Sequence, residues 1–217
     1  NFKVENGQIL AILGPSESGV HLLGQVLASA VGPSSGEIHF NNYSLRHHTQ
    51  KLLIQIGYQT NPVKLPEFLT GFELLDLIGS LYHLSPGART KRINELASQL
   101  EIGQSLYSLL ETMSMADRQK IAVAATVIHQ PKLLVLDEPT QFLDFAGQSQ
   151  VRRLISEQAK GETAVVLITN NLELAEVLAD HFLVLDDGRK LLDGTLAQLV
   201  NQTKCRTRNL AGVLEKI

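Results

Sequence analysis

Two short stretches hold residues whose types and spacing point to chemistry. The first is LGPSESGVHLL, residues 13–23, which follows the apolar run ILAIL. A buried strand, a glycine loop and a helix start are the setting of a phosphate-binding loop, G-x-x-x-x-G-K-[ST]. There, backbone N–H groups cradle phosphates, a Lys reaches the β/γ-phosphates and a hydroxyl meets Mg²⁺. Gly14 and Gly19 have the required spacing, with Pro15, Ser16, Glu17 and Ser18 between them. The next positions are Val20, His21 and Leu22, so neither the Lys nor the hydroxyl is present. The second stretch is KLLVLDEPT, residues 132–140. An apolar strand ending in Asp and then Glu is the other half of a phosphate-transfer site: Asp137 can hold Mg²⁺ through water and Glu138 can polarise an attacking water. The same residues also read as a buried strand that ends in an acidic turn stopped by Pro139.

These residues need elements to place them. Residues 8–14 read as a buried strand and 20–31 as a helix. GPSSGEIHF, 32–40, reads as a turn into a short strand, and KLLIQIGY, 51–58, as a second buried strand. Residues 68–84 are apolar at helical spacing, 85–100 form an amphipathic helix, and 117–130 a helix stopped by Pro131. Beyond the acidic strand come a helix over 146–160, a strand over 163–169, a helix over 171–179 and a hairpin over 181–195 turning at Asp187-Gly188. Apolar strands alternating with helices predict a parallel sheet covered on both faces. The strandless block near 68–130 reads as a helical lobe inserted into that core.

Composition bounds the rest. The chain has 217 residues, 44% hydrophobic and 19% charged, as an ordinary globular domain does. A net charge of -3 gives no footing for a nucleic-acid partner. The lone Cys205 excludes an internal disulfide. No apolar run reaches transmembrane length and no secretory signal opens the chain, so a membrane role is expected to go through a partner. The chain opens on Asn1 rather than Met, and residues upstream of it are expected. Arg46, His47 and His48 read as a solvated loop rather than a metal site. Met113 and Met115 read as lobe packing, and so do Phe68, Phe72, Leu75, Leu77 and Leu81; for those five the alternative is an exposed face that meets a membrane subunit. His83 carries no usable signal.

In order along the chain, LGPSESGVHLL, IGYQTNP, MSMADRQKIAVAATVIHQPKLLVLDEPT, FLD and ITNNLELAE resemble an ATP-binding-cassette ATPase over essentially its whole length. The resemblance is most specific at QPKLLVLDEPT and in the frame LVLDDGR…DGT. It implies an α/β, RecA-like P-loop NTPase core with a parallel sheet, a small antiparallel β-subdomain and an inserted α-helical lobe. Residues 1–217 would then be a single cassette: core about 1–67 and 131–200, lobe about 68–130 and tail about 201–217. It implies ATP and Mg²⁺ as cofactors. It implies a second cassette as partner, with ATP sandwiched between the two, and transmembrane permease subunits at the cytoplasmic face of a membrane. The tail NLAGVLEKI resembles the end of exporter cassettes. The aromatic that stacks on adenine in this family falls upstream of residue 1.

Position by position, the family pattern is altered. Val20 stands at the Lys position and His21 at the hydroxyl position. Glu17 stands where Gly is usual, which is expected to put a carboxylate where phosphate should lie. Asn61 replaces the Gln of the loop before the lobe. The signature L-S-G-G-Q reads Met113-Ser114-Met115-Ala116-Asp117, with Asp117 expected near a partner's γ-phosphate. Asn170 replaces the switch His; Asp137, Glu138 and the D-loop Asp144 remain. Losing a buried charge partner costs about 2–5 kcal/mol, or about one and a half to three and a half decades of affinity. The resemblance thus implies a transporter cassette whose own ATP site is impaired. The alternatives are a non-hydrolysing scaffold or regulator, an active ATPase with unusual ligands, and a soluble cassette of DNA repair or translation; for the last, neither a long coiled-coil insertion nor a tandem second cassette is present.

Overall fold

The computed structural model describes residues 1–40, 43–45, 51–205 and 207–217. Arg46, His47 and His48 lie outside the described residues. Among the described residues a six-stranded sheet runs in the order β4-β5-β6-β1-β7-β8. Its strands are β1 (Ile9–Leu13), β4 (Ile56–Gln59), β5 (Leu133–Asp137), β6 (Ala164–Ile168), β7 (His181–Asp186) and β8 (Arg189–Gly194). All pairs are parallel except β7 with β8. β1, β5 and β6 are buried along their whole length, the condition under which a parallel strand reads as an unbroken apolar run. A separate antiparallel pair joins β2 (His39–Phe40) to β3 (Tyr43–Ser44). β7 and β8 are joined by Asp187 and Gly188 at φ 45° and 70°, the left-handed pair that a two-residue hairpin turn requires.

Helices cover both faces. α1 (Val20–Leu27) lies on one, where Val20 packs with Leu10, Ile12, Val135, Val166 and Ile168. On the other face lie α5 (Phe145–Lys160) and the lobe helices α2 (Gly71–Leu81), α3 (Pro86–Gln99) and α4 (Met115–Val127). Ile121, Val123, Leu154 and Ile155 meet Leu134, Leu136, Val165 and Leu167 there. α6 (Leu172–Leu178), α7 (Leu196–Thr203) and α8 (Leu210–Leu214) close the far edge around Phe182. Thr70 and Glu73 form a reciprocal capping box that starts α2. Among the described residues no helix is long and apolar enough to cross a membrane.

Several expectations need correction. Residues 51–53 are helical and the strand is confined to Ile56–Gln59, because a short apolar run has too few residues for period 2 and period 3.6 to separate. α1 stops at Leu27, with Ser29 just beyond in the left-handed region. The proposed lobe stripe splits: Leu75 is buried and Phe72 partly so, whereas Phe68 is 77% exposed and Leu77 and Leu81 face solvent. Met113 packs into the lobe, but Met115 on the first turn of α4 is exposed.

Candidate functional site

In the parallel sheet the strand register decides what meets what. Ile168 pairs with Ile12 on one side and with Asp137 on the other, so the C-terminal ends of β1, β5 and β6 stand level. The loops beyond them share one edge, which is where open parallel sheets place their ligands. Beyond β1 the chain runs through Gly14 and Pro15, a 3-10 turn at Ser16–Ser18, and Gly19 at φ 88° before α1 begins. Gly14 is required by space: a Cβ there would lie 2.3 Å from the Leu185 carbonyl oxygen. Ser18 is buried, and its carbonyl accepts from the Gly188 amide, tying the loop to the β7–β8 turn.

At the start of α1 the residue types decide the chemistry. Val20 is 2% exposed and belongs to the apolar core. His21 turns to the sheet edge, and its Nδ1–H donates to both carboxylate oxygens of Asp137, at 2.8 and 2.9 Å. Asp137 is 1% exposed. Burial pushes its carboxyl up; the hydrogen bond and charge of His21 pull it down, and the neighbouring Glu138 charge raises it again. The imidazole therefore supplies the polar partner that a buried carboxylate at a strand end needs.

Glu138 is engaged as well. Its φ is +49°. Its carboxylate accepts from the Thr169 hydroxyl at 2.9 Å and from the Asn170 amide at 2.6 Å. Its own amide donates to the Ile168 carbonyl at 2.8 Å, and Gln119 donates to its carbonyl at 3.1 Å. A cavity of about 320 Å³ opens beside these groups, lined by Ser16, His21, Asn61, Glu138, Thr140, Gln141, Asn170 and Asn171; among the described residues no Lys or Arg stands in its wall.

The structure thus brings together Ser16, His21, Asn61, Asp137, Glu138 and Asn170 from among the sequence-derived candidates. Pro15, Glu17 and Leu22 are exposed and are not among the described residues that line this cavity. The signature segment is also apart from the cavity. Ser114 caps α4 by accepting from the Asp117 amide at 3.0 Å, the Asp117 carboxylate accepts from Ser105, Ala116 packs against the lobe core, and Met115 is exposed. Asp144 caps α5 through the Gly147 amide at 2.8 Å. Sequence reasoning missed Thr140, Gln141, Thr169, Asn171 and Gln119. The only signal for the Thr169 contact was a polar cluster following directly on the apolar strand TAVVLI.

The comparisons with known proteins agree with this architecture. A daunorubicin resistance ATP-binding protein of Streptomyces coeruleorubidus is 30% identical over 94% of this chain and 64% of its own length. A thiamine import ATP-binding protein of Aliivibrio fischeri is 32% identical over 94% of this chain and 87% of its own. The chain spans 60–64% of the length of the first curated relatives it matches. A solved structure described as the ATP-binding subunit of an ABC transporter superposes with a TM-score of 0.92 at 26% identity, covering 99% of this chain and 90% of that one. The model of the ABC transporter family matches residues 1–141. With the strand order, the glycine loop and the acidic strand end, these matches make the chain a member of the ABC transporter family, built on its ATP-binding-cassette fold.

Proposed function

We propose that this chain is a cassette subunit of a membrane transporter, of exporter type, whose own nucleotide site neither holds nor hydrolyses Mg²⁺-ATP. The observation that carries this reading is the His21–Asp137 bond: an imidazole occupies both oxygens of the carboxylate that would face the metal. Mg²⁺ takes oxygen ligands and is reluctant to shed its water, so this donor set does not fit it. Val20 gives no cation for phosphate, and the described residues of the cavity wall add none. Glu138 faces Thr169 and Asn170 rather than a free water position. Resistance proteins among the relatives support the exporter reading. Residues 1–217 act in it as one cassette, with core, lobe and tail as delimited above. The partners are a second cassette and transmembrane subunits, and the place is the cytoplasmic face of a membrane. A second reading, a non-hydrolysing scaffold, is favoured by the signature segment, where Ser114 and Asp117 are spent on capping and on Ser105.

Calorimetric titration of the chain with Mg²⁺-ATP, paired with thermal unfolding, tests the site. Ligand that binds the folded state at a Kd near 10 μM would add about 2.7 kcal/mol at about 1 mM. The expected result is no heat of binding and an unchanged Tm. A saturable heat with a raised Tm would overturn the reading.

A further inference from the structure

Asn6-Gly7, Asp187-Gly188 and Asp193-Gly194 each set a side-chain carbonyl one residue before a glycine. In such a pair the glycine nitrogen can attack that carbonyl carbon and close a five-membered ring, because glycine has no Cβ to hinder the approach. The structure treats the three pairs differently. The Gly188 amide is committed: it donates to the Ser18 carbonyl at 3.0 Å. The Asp193 carboxylate is held by His181 at 2.7 Å and by Lys190 at 2.6 Å, within a paired strand. At Asn6-Gly7 neither group is held. Asn6 is exposed, and among the described residues neither its carboxamide nor the Gly7 amide makes a hydrogen bond. Its carboxamide also carries no negative charge to repel the attack. Residues 5–8 form a surface turn with Gly7 at φ 76°. The Gln8 amide donates to the Glu5 carbonyl at 3.1 Å, and the Glu5 amide to the Gln8 side-chain oxygen at 2.9 Å. A turn closed by two exposed bonds opens at little cost.

We propose that Asn6 is a site of spontaneous covalent modification, deamidation through a cyclic imide, with water as the only co-reactant. The Gly7 nitrogen gives its proton to solvent and bonds to Cγ of Asn6. The Cγ–Nδ2 bond breaks, and the departing nitrogen takes up a proton and leaves as ammonia. Water then opens the ring at one of two bonds. Breaking the bond from Gly7 N to Cγ leaves aspartate. Breaking the bond from Gly7 N to the Asn6 backbone carbonyl carbon leaves isoaspartate, in which the main chain runs through the former side chain. Neither step changes an oxidation state. Both products add a carboxylate beside Glu5, which already pairs with Lys3 at 2.6 Å. Isoaspartate also lengthens the main chain of a four-residue turn, so the Glu5–Gln8 closure is lost. Gln8 leads into β1, and its carbonyl accepts from the Val165 amide at 2.9 Å, so the modified turn frays that end of the sheet. The inference is independent of the nucleotide reading and is tested without nucleotide.

The chain is incubated in ¹⁸O-labelled water at mildly alkaline pH, folded and in parallel unfolded in urea, and both samples are mapped by peptide mass spectrometry. In the folded chain the Asn6 peptide should exchange its carboxamide nitrogen for one ¹⁸O and split into aspartyl and isoaspartyl forms, faster as pH rises. Folding should slow ring closure at Asp187 at least about tenfold, and at Asn6 by less than that. Asn6→Gln, which would need a six-membered ring, should lose the reaction. An unchanged Asn6 peptide in the folded chain, conversion without isoaspartate, or equal slowing by folding at Asn6 and Asp187 would overturn the proposal. All three are read on the wild-type chain, so they decide the matter even if the variant folds poorly.

Discussion

Removing His21 gives the sharpest test of how the glycine loop is held. In His21→Ala, Asp137 keeps its place at the end of β5, 1% exposed, and loses the donor that satisfies both its oxygens. A buried charged acceptor left without its hydrogen bond costs about 1.5–3 kcal/mol. The side chain being removed is 27% exposed, so water can partly refill the gap, and the expected cost lies at the lower end, about 1.5–2 kcal/mol. For a chain of this size that is a fall in Tm of about 3–8 °C. The pH dependence has a definite sign. Asp137 is held above its ordinary 3.8, chiefly by burial, so the folded chain keeps this proton to higher pH than the unfolded chain does. Its carboxyl therefore subtracts stability as pH climbs from 3.8 through the folded value. Without His21, the two influences that lower the folded value are gone. The deficit of the variant should be full near neutral pH and shrink as the pH falls toward 3.8. Urea unfolding of wild type, His21→Ala, Asp137→Asn and the double variant gives the coupling directly. A coupling below about 0.5 kcal/mol, or a deficit that grows in acid, would refute the assignment of His21 as the partner of Asp137.

Other outcomes follow from the same geometry. Gly14→Ala would drive a Cβ to 2.3 Å from the Leu185 carbonyl, and should cost about 2–3 kcal/mol in urea unfolding. Thr70→Ala breaks the capping box of α2 and should lower stability by about 1 kcal/mol, with Thr70→Ser restoring most of it. Glu138→Gln keeps one acceptor oxygen for Thr169 and Asn170. It should cost about 1 kcal/mol or less and leave the response to Mg²⁺-ATP unchanged. The paired change Val20→Lys with His21→Ser restores the two missing groups of the phosphate loop, and calorimetry should then detect Mg²⁺-ATP where the parent chain shows no heat.

Most of the framework was legible because its signals are local. ILAIL, KLLVLD and TAVVLIT are apolar runs of strand length bounded by glycine, proline or polar residues, and all three became buried parallel strands. The segment KLLIQIGY misled because its first residues join a helix while its last join the sheet. The glycine loop and the acidic strand end could be named from spacing. Their mutual bond could not, because His21 and Asp137 are 116 residues apart and nothing local in either segment pairs them. The splitting of the lobe stripe into buried Leu75 and exposed Phe68, Leu77 and Leu81 depends on which helices flank α2, and that is a tertiary fact.

The grip of Glu138 on the loop after β6 has a mechanical consequence. Its carboxylate joins the tips of two neighbouring strands through the Thr169 hydroxyl and the Asn170 amide, with its own backbone amide fastened to Ile168. That is a splice made entirely of protein, set in place by folding and held by a backbone turn at positive φ. The join between the two strand tips is thus carried by one side chain, Glu138, across the C-terminal edge of the sheet.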